Sequence, residues 1–233
     1  MKLMKIKNPF RLLSRFEIVL WSLSALTVLF SYLLSPDKDI LSLIASLVGV
    51  SALIFVAKGL VFGQVLIVIF SVFYGMISFY FKYYGEMITY LFMSAPAALC
   101  AIFSWIKNQY GETSEVKVRK MRKRDWVSVT MIAAAATVVF YFLLGYFGTQ
   151  NLIFSTLSVT TSVFASVLTY LRSPYYALAY SVNDLVLIVL WALAAAEDIS
   201  YLPMIACFVA FLANDLYGFY NWSRMRRRQG AGE

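Results

Sequence analysis

Histidine is absent from all 233 residues of the chain. That absence excludes zinc sites of the HExxH type and every mechanism that needs a histidine base, including the Ser-His-Asp triad. No GxxxxGK[ST] loop is present, so the chain carries no ATP-driven motor of its own. The two cysteines, Cys100 and Cys207, lie inside apolar runs and offer no disulfide framework or metal-ligand spacing. We therefore expect no cofactor and no metal.

Charged residues are also scarce, at 14%, whereas 61% of the residues are hydrophobic and the mean hydropathy is +0.75. These values place the chain in the membrane class. The net charge of +8 collects at the ends of the apolar segments, which makes nucleic acid a poor partner. A basic N-terminus followed by an apolar run is also typical of a signal peptide. This run is long and no small-x-small cleavage site follows it, so we expect a membrane span.

Eight apolar runs account for most of the chain, and most of them approach the ~20 residues needed to cross ~30 Å of hydrocarbon. They predict an all-α integral membrane protein with about eight transmembrane helices. The runs are approximately Ile18–Leu34, Ile40–Ala57, Leu60–Phe81, Met87–Ile106, Val127–Phe147, Leu152–Leu171, Tyr175–Ala196 and Ser200–Trp222.

Basic residues are distributed very unevenly between the two sides of this topology. Of the 20 lysines and arginines, 18 lie on one side, in the two tails, at Lys58 and Arg172, and in the connector 107–126. Only Lys38 and Lys82 lie on the other side. The positive-inside rule therefore predicts a multi-pass protein of the cell (inner) membrane with the connector and both termini in the cytoplasm.

An internal repeat relates the two halves of the chain. The pattern E-x-I-[ST]-Y-L-x-M occurs at Glu86–Met93 and again at Glu197–Met204. Each copy begins the last helix of a three-helix block, and that helix ends in tryptophan, Trp105 or Trp222. Spans two to four thus look duplicated as spans six to eight, with span five as a linker. Such a parallel repeat is common in secondary transporters, whose substrate sites lie at the repeat interface near the midplane.

The repeat also predicts the domain organisation. A basic residue precedes the middle helix of each block, as Lys58 and Arg172. The predicted divisions are an N-terminal tail and extra transmembrane helix (1–39), a first three-helix bundle (40–106), a basic connector and linker helix (107–151), a second three-helix bundle (152–223) and a basic cytoplasmic tail (224–233).

Specific residues in both halves carry a family resemblance. They are Lys58-Gly59, Phe62-Gly63, Tyr74, Tyr84-Gly85-Glu86, Pro96 and Trp105, then Arg172 to Tyr176, Asn183-Asp184, Trp191 and Asn214 to Trp222. With these residues the chain resembles the PnuC-type vitamin transporters over approximately residues 8 to 228. The resemblance implies a SWEET-like fold, a homotrimer, and uptake of nicotinamide riboside for NAD biosynthesis by facilitated diffusion, with a cytoplasmic kinase trapping the substrate.

One departure from the family pattern leaves the exact vitamin open. Many nicotinamide riboside carriers show W-x-x-W before the polar residue of the seventh helix, where this chain has Tyr175, Tyr176 and Tyr180. The aromatic character is kept but the indoles are not. Since relatives of this type carry thiamine, riboflavin or nucleosides, these substrates remain alternatives.

The seventh span supplies the main candidate site. Tyr176, Tyr180 and Asn183 share one helical face, and Asp184 lies on the neighbouring stripe. Aromatic faces suit a cationic pyridinium ring, and Asn183 and Asp184 could hydrogen-bond ribose hydroxyls. A carboxylate at membrane depth is functional by default, although tyrosine and asparagine also hold membrane helices together. In the eighth span, Asn214 could complete the site.

Further candidates lie outside the seventh span. Gln64 and Tyr74 could contact substrate from the first bundle. Trp222 could act as a cytoplasmic gate, although terminal tryptophans more often form an interfacial belt. The remaining possible gate residues are the helix-bending prolines Pro96 and Pro203.

The two intramembrane aspartates also suggest an alternative, an intramembrane aspartyl enzyme. Asp184 and Asp215 would have to face each other across one water molecule. The order of residues predicts that Asp215 lies closer to the cytoplasm, where it could pair with Arg172 or Lys58, and no G-x-G-D stretch is present. We therefore expect no enzymatic activity.

The predicted topology can be tested by cysteine labelling. A cysteine introduced at Gly148 or Lys38 should react with an impermeant thiol reagent added outside the cell, because both positions lie in external turns of the eight-span topology. A cysteine at Glu115 in the connector should not react. The opposite labelling pattern would contradict the predicted orientation.

Overall fold

The structure is a computed structural model that describes residues 9–34, 40–80, 87–111, 113–149, 151–197, 199 and 202–230, without the side chains of residues 42, 202 and 203. Eight long helices make up most of this part of the chain. They are α1 (Arg15–Leu34), α2 (Ile40–Ala57), α3 (Val61–Tyr80), α4 (Thr89–Lys107), α5 (Lys123–Tyr146), α6 (Leu152–Tyr170), α7 (Tyr175–Glu197) and α8 (Leu202–Gly230). A short 3₁₀ helix, Pro9–Leu12, precedes α1.

The helices have the length and composition of membrane spans. Six of them, α1 and α3 to α7, are long and apolar enough to cross a membrane, and Leu43–Ala57 within α2 is a shorter apolar helix. Large apolar side chains such as Phe92, Phe142 and Ile153 are exposed on the surface, as expected where lipid is the solvent. The predicted all-helical membrane architecture is confirmed.

Six of the helices form a ring. Around it, α2 packs on α3, α3 on α4, α4 on α6, α6 on α7, α7 on α8, and α8 returns to α2. The last helix of each repeat therefore packs on the first helix of the other repeat, and the middle helices α3 and α7 lie at opposite positions. The linker helix α5 packs on α6, and the extra helix α1 packs on α2 and α8. This arrangement confirms the predicted two parallel bundles, linker helix and extra N-terminal helix.

The turn after the first helix of each repeat has the same backbone conformation. Gly59 has φ +72° in the first repeat, and Arg172 has φ +57° in the second. Their carbonyl oxygens accept hydrogen bonds from the connector, from the Val116 N–H and the Arg119 N–H respectively, both at 3.0 Å. Glycine adopts this left-handed conformation at little cost, whereas arginine does not. Arg172 therefore adopts a backbone conformation that costs free energy for a residue with a side chain.

Two tryptophans join the repeats reciprocally. The Trp105 indole N–H, from the first repeat, donates to the Thr169 carbonyl of the second at 3.0 Å. The Trp222 indole N–H, from the second repeat, donates to the Val56 carbonyl of the first at 2.9 Å. The two rings lie 5.3 Å apart and both side chains are fully buried. The interpretation of these tryptophans as a lipid-facing interfacial belt was wrong, because their N–H groups satisfy carbonyls at helix C-termini instead.

The residue before each tryptophan repeats this capping. The Ser104 hydroxyl donates to the Tyr170 carbonyl at 2.8 Å, and the Asn221 amide donates to the Ala57 carbonyl at 2.9 Å. Each repeat thus donates to two terminal carbonyls of the other. The Thr169 and Val56 carbonyls also accept a backbone hydrogen bond from their own turns, from the Arg172 N–H and the Gly59 N–H, so the indoles are their second donors.

The connector lies across this end of the ring. Val116 is fully buried, and its carbonyl accepts from the Gln229 amide at 3.1 Å. The Gln229 side-chain oxygen in turn accepts from the Val118 N–H at 2.7 Å, and Arg228 pairs with Glu115. The connector is therefore tied to both repeat turns and to the end of α8, and this end of the ring is called the connector end below.

Helix α4 is irregular where it begins. Thr89–Ser94 is a π-helical turn in which the Ala95 N–H donates to the Tyr90 carbonyl, five residues back. Pro96 follows immediately and removes a further backbone donor. A π turn and a proline are the usual causes of a bend, so a bend in α4 has an identifiable origin. Pro203 lies in the first turn of the described α8, and its side chain lies outside the described residues.

The reciprocal capping predicts a specific loss of stability. Trp105→Phe and Trp222→Phe each remove one indole N–H and leave the Thr169 or Val56 carbonyl with only its backbone donor, which should lower the free energy of unfolding by about 0.5–1.5 kcal/mol, the net value of one hydrogen bond. Thermal unfolding in detergent measures this loss. Trp126→Phe is the matched control, because within the described residues its indole N–H donates to no acceptor, and losses equal to the control would contradict the role of the hydrogen bonds.

Candidate functional site

Two carboxyl groups face each other inside the ring. Asp184 in α7 and Asp215 in α8 are 4% and 6% exposed, and their side chains are close enough to share a hydrogen bond. No N–H or O–H donor of the described residues reaches Asp184 Oδ2. Burying a carboxyl group without a donor costs several kcal/mol on the order-of-magnitude scales for apolar transfer. The pair therefore indicates a binding group for a cation or a proton.

The equal depth of the two carboxyl groups corrects the expectation that Asp215 lies closer to the cytoplasm. The Tyr176 and Trp222 rings meet edge to face, so these two side chains define one level. Asp184 follows Tyr176 by eight residues, and Asp215 precedes Trp222 by seven. Because α7 and α8 are antiparallel, these nearly equal spacings place the two carboxyl groups at the same depth. The expectation was wrong because α8 continues to Gly230, so that the helix end does not mark a membrane boundary.

Aromatic side chains lie on the connector side of the carboxyl pair. The Tyr176 and Trp222 rings are 4.9 Å apart at 68°, and Tyr180 lies 6.3 Å from Tyr176. The Tyr176 hydroxyl comes within 3.2 Å of the position that a Cβ of Gly218 would occupy, so this contact depends on the glycine. The predicted residues Tyr176, Tyr180 and Asp184 are thus brought together, with Trp222 beside them.

Asn183 is directed toward α6. Its Oδ1 accepts from the Thr161 hydroxyl at 2.8 Å and from the Ser158 hydroxyl at 3.3 Å. Tyr180 makes a similar contact, because its hydroxyl lies 3.0 Å from Ser166 Oγ. Both contacts are of the kind that holds membrane helices together. Sequence reasoning missed the three α6 hydroxyls, although the serine- and threonine-rich run of α6 was a signal for them.

Asn214 is directed toward the extra helix α1. Its Nδ2 donates to Ser24 Oγ at 2.7 Å and to the Ala210 carbonyl at 2.8 Å. Its Oδ1 is buried and has no donor among the described residues. Asn214 therefore belongs to an α1–α8 contact and keeps one acceptor available. Sequence reasoning did not identify α1 as a neighbour.

A second polar contact of α1 neutralises Lys58. The Glu17 carboxylate is 2% exposed and accepts from Lys58 Nζ at 2.8 Å and from the Tyr217 hydroxyl at 2.6 Å. The expectation that Asp215 pairs with Lys58 or Arg172 was wrong, because Lys58 pairs with Glu17 and Asp215 faces Asp184.

The first repeat holds two of the predicted residues and a further candidate that was not predicted. Gln64 is buried in α3, and Tyr74 packs in an aromatic cluster, 4.5 Å from Tyr90. Sequence reasoning missed Ser71, which follows Gly59 by the same spacing as that from Arg172 to Asp184. Ser71 is fully buried, and its hydroxyl has no partner among the described residues. The middle helices thus carry unsatisfied polar atoms at equivalent positions, Ser71 and Asp184.

Similarity to known proteins agrees with this architecture. A sequence model described as "Nicotinamide mononucleotide transporter" matches residues 39–224. A curated "Nicotinamide riboside transporter PnuC" from Neisseria mucosa is 28% identical over 202 residues, which cover 84% of this chain and 76% of the relative. One of the same name from Haemophilus influenzae is 26% identical over 215 residues, 91% and 92% of the two chains. The solved "Crystal structure of the Vitamin B3 transporter PnuC" superimposes with a TM-score of 0.78 at 27% identity and covers 93% of this chain and 94% of the other.

The carboxyl pair and the Glu17–Lys58 pair should respond oppositely to loss of charge. Asp184→Asn removes repulsion between two facing carboxyl groups and should leave the free energy of unfolding unchanged or higher. Glu17→Gln, the matched control, leaves the Lys58 ammonium without its partner and should cost about 1–3 kcal/mol. Thermal unfolding in detergent compares the two. A larger loss for Asp184→Asn would contradict the assignment of Asp184 as an unsatisfied binding group.

Proposed function

The chain belongs to the nicotinamide mononucleotide transporter family, and from that premise we propose that it carries nicotinamide riboside into the cell. The observation that carries this proposal is the pair of facing carboxyl groups, Asp184 and Asp215, buried beside tyrosines in a ring of six helices. The relatives named nicotinamide riboside transporters align with nearly the whole chain, and nicotinamide riboside has a permanently cationic ring.

The arrangement suits a flat cationic nucleoside. The carboxyl pair complements the charge of the pyridinium ring, and the faces of Tyr176 and Tyr180 provide cation–π attraction. The unsatisfied Asn214 Oδ1 and Ser71 Oγ are suited to ribose hydroxyls, because a buried polar atom without a partner gains most from a ligand hydrogen bond. Thiamine, also a cation, is the closest alternative; riboflavin and neutral nucleosides would not use the carboxyl charge.

The connector end supplies a gate. Trp222, Trp105 and Tyr176 fill this end of the ring in one buried cluster. Release of substrate toward the connector requires the two indole–carbonyl hydrogen bonds to open, since they join the repeats there. The π turn and Pro96 of α4 and the proline of α8, Pro203, are the points at which the closing helices would bend.

Several further properties belong to this proposal. The asymmetry of basic residues supports a cytoplasmic connector and cytoplasmic termini. The family resemblance supports a homotrimer and functional coupling to a cytoplasmic kinase that traps the substrate. Because the chain has no nucleotide-binding loop, we propose facilitated diffusion, in which phosphorylation alone makes uptake unidirectional.

Transport in proteoliposomes tests this function. Vesicles that contain the purified protein should take up labelled nicotinamide riboside until the internal and external concentrations are equal, and an imposed sodium or proton gradient should not change that end point. Vesicles without protein are the control. Absence of uptake would contradict the proposed substrate, whereas accumulation driven by a gradient would contradict facilitated diffusion.

Substitutions in α7 separate substrate contact from helix packing. If Asn183 also donates to substrate, Asn183→Ala should weaken nicotinamide riboside binding about tenfold, which corresponds to one or two lost hydrogen bonds. Thr161→Val is the control, because it removes the donor to Asn183 Oδ1 and should lower only the melting temperature. Isothermal calorimetry on folded variants measures the affinity. Normal affinity of Asn183→Ala would assign Asn183 to helix packing alone.

A further inference from the structure

A cavity of about 360 Å³ lies at the connector end, outside the aromatic gate cluster. It is formed by the C-terminal end of α4 and the turn between α6 and α7. Three of its lining side chains are cationic, those of Lys107, Arg119 and Arg172, and none is acidic. The Ser104 and Asn108 side chains add polar groups to the same wall.

Within the described residues, the chain neutralises only one of these three cations. Arg119 pairs with Asp125 at 2.6 Å, but Arg172 Nε and Nη1 are buried and have no hydrogen-bond partner among the described residues. Lys107 makes no ion pair within that part of the chain. Burial, followed by the neighbouring Arg119 charge, lowers the pKa of the Arg172 guanidinium, as expected for a cation held without an anion.

The other repeat shows how such a cation is neutralised. Lys58 occupies the corresponding turn of the first repeat, and Glu17 of the extra helix α1 pairs with it at 2.8 Å. No equivalent carboxylate reaches Arg172 in the described residues, although its backbone lies in the left-handed conformation that Gly59 adopts at the equivalent position. Arg172 therefore combines a backbone conformation that favours glycine with a guanidinium that no carboxylate of the described residues neutralises. An external anion bound to Arg172 would offset both the cost of the backbone conformation and the cost of the buried, unpaired charge.

We propose that this cavity binds a phosphate group through Arg172, Arg119 and Lys107. Arginine forks match phosphate oxygens geometrically, and lysine contributes a point charge. The opposite flank of the cavity, formed by Cys100 and Phe103, is apolar and exposed, which suits the acyl chains of an anionic phospholipid. A small soluble phosphate has the same headgroup chemistry, and the experiment distinguishes the two sources.

The test uses Arg172→Gly. Glycine adopts the left-handed backbone conformation of Arg172 at little cost, so this variant keeps the turn and removes the side chain together with its guanidinium. Binding of phosphatidylglycerol is measured by native mass spectrometry and by thermal unfolding, with phosphatidylcholine as the neutral lipid, in phosphate-free buffer. The wild type should bind phosphatidylglycerol preferentially, and Arg172→Gly should bind it about tenfold more weakly, because a charge-assisted contact is lost. Lys107→Gln should give a smaller loss in the same direction.

The control and the second probe decide the interpretation. Arg227→Gln removes one exposed tail charge outside the cavity and should leave binding unchanged.

Inorganic phosphate added in neutral lipid tests the soluble source: a stabilisation that depends on Arg172 identifies a free phosphate, and a response to phosphatidylglycerol alone identifies a lipid headgroup. Equal binding by wild type and Arg172→Gly, or an equal loss in Arg227→Gln, would overturn the proposal. A change of oligomeric state in Arg172→Gly, with no effect of either phosphate source, would also overturn the proposal. That result would mean that the anionic partner of Arg172 belongs to a neighbouring subunit.

Discussion

The rest of the structure depends on two indole–carbonyl hydrogen bonds that join the repeats reciprocally. Trp105 caps the first helix of the second repeat and Trp222 caps the first helix of the first repeat. Each of these carbonyls also accepts one backbone N–H from its own turn, and in a membrane it has no water as a second donor, so the indole of the other repeat takes that place. These reciprocal contacts join the two repeats within the ring of six helices and fix the level of Trp222. The same contact fills one end of the ring with a buried aromatic cluster.

The position of the carboxyl pair follows from that contact. Tyr176 packs edge to face against Trp222, and one face of each helix then runs inward to Asp184 and Asp215. The ring buries both carboxyl groups without giving Asp184 Oδ2 a hydrogen-bond donor. A cationic ligand would supply a positive charge beside the two carboxyl groups. Helix α1 lies outside the repeats, yet it holds Asn214 through Ser24 and neutralises Lys58 through Glu17. The extra helix thus fixes the orientation of α8 at the level of the site.

Much of this architecture was predictable from the sequence because it rests on periodicity and repetition. Apolar run length indicated the helices, and the E-x-I-[ST]-Y-L-x-M repeat indicated the parallel bundles. Helical spacing placed Tyr176, Tyr180 and Asn183 on one face with Asp184 on the neighbouring stripe, whereas in the structure Asn183 is directed toward α6. Three features were not predictable. The tryptophan N–H groups bind backbone carbonyls, and a backbone carbonyl has no sequence signature. The depth of Asp215 depends on how far α8 extends beyond the membrane. Asn214 contacts Ser24 because α1 packs beside α8, and α1 lies outside the repeat. Ser71 can be recognised as the equivalent of Asp184 only after the two repeat turns, at Gly59 and Arg172, have been matched.

The most direct test of the account is whether the carboxyl pair recognises the charge of the substrate. The measurement is the ratio of affinities for nicotinamide riboside and for its reduced, uncharged form, in the wild type and in folded Asp184→Asn. The account predicts that the wild type binds the cationic form more tightly and that Asp184→Asn loses about tenfold of this preference, the size of one lost charge interaction at a partly desolvated site. An unchanged ratio in the variant would contradict the central role of the pair.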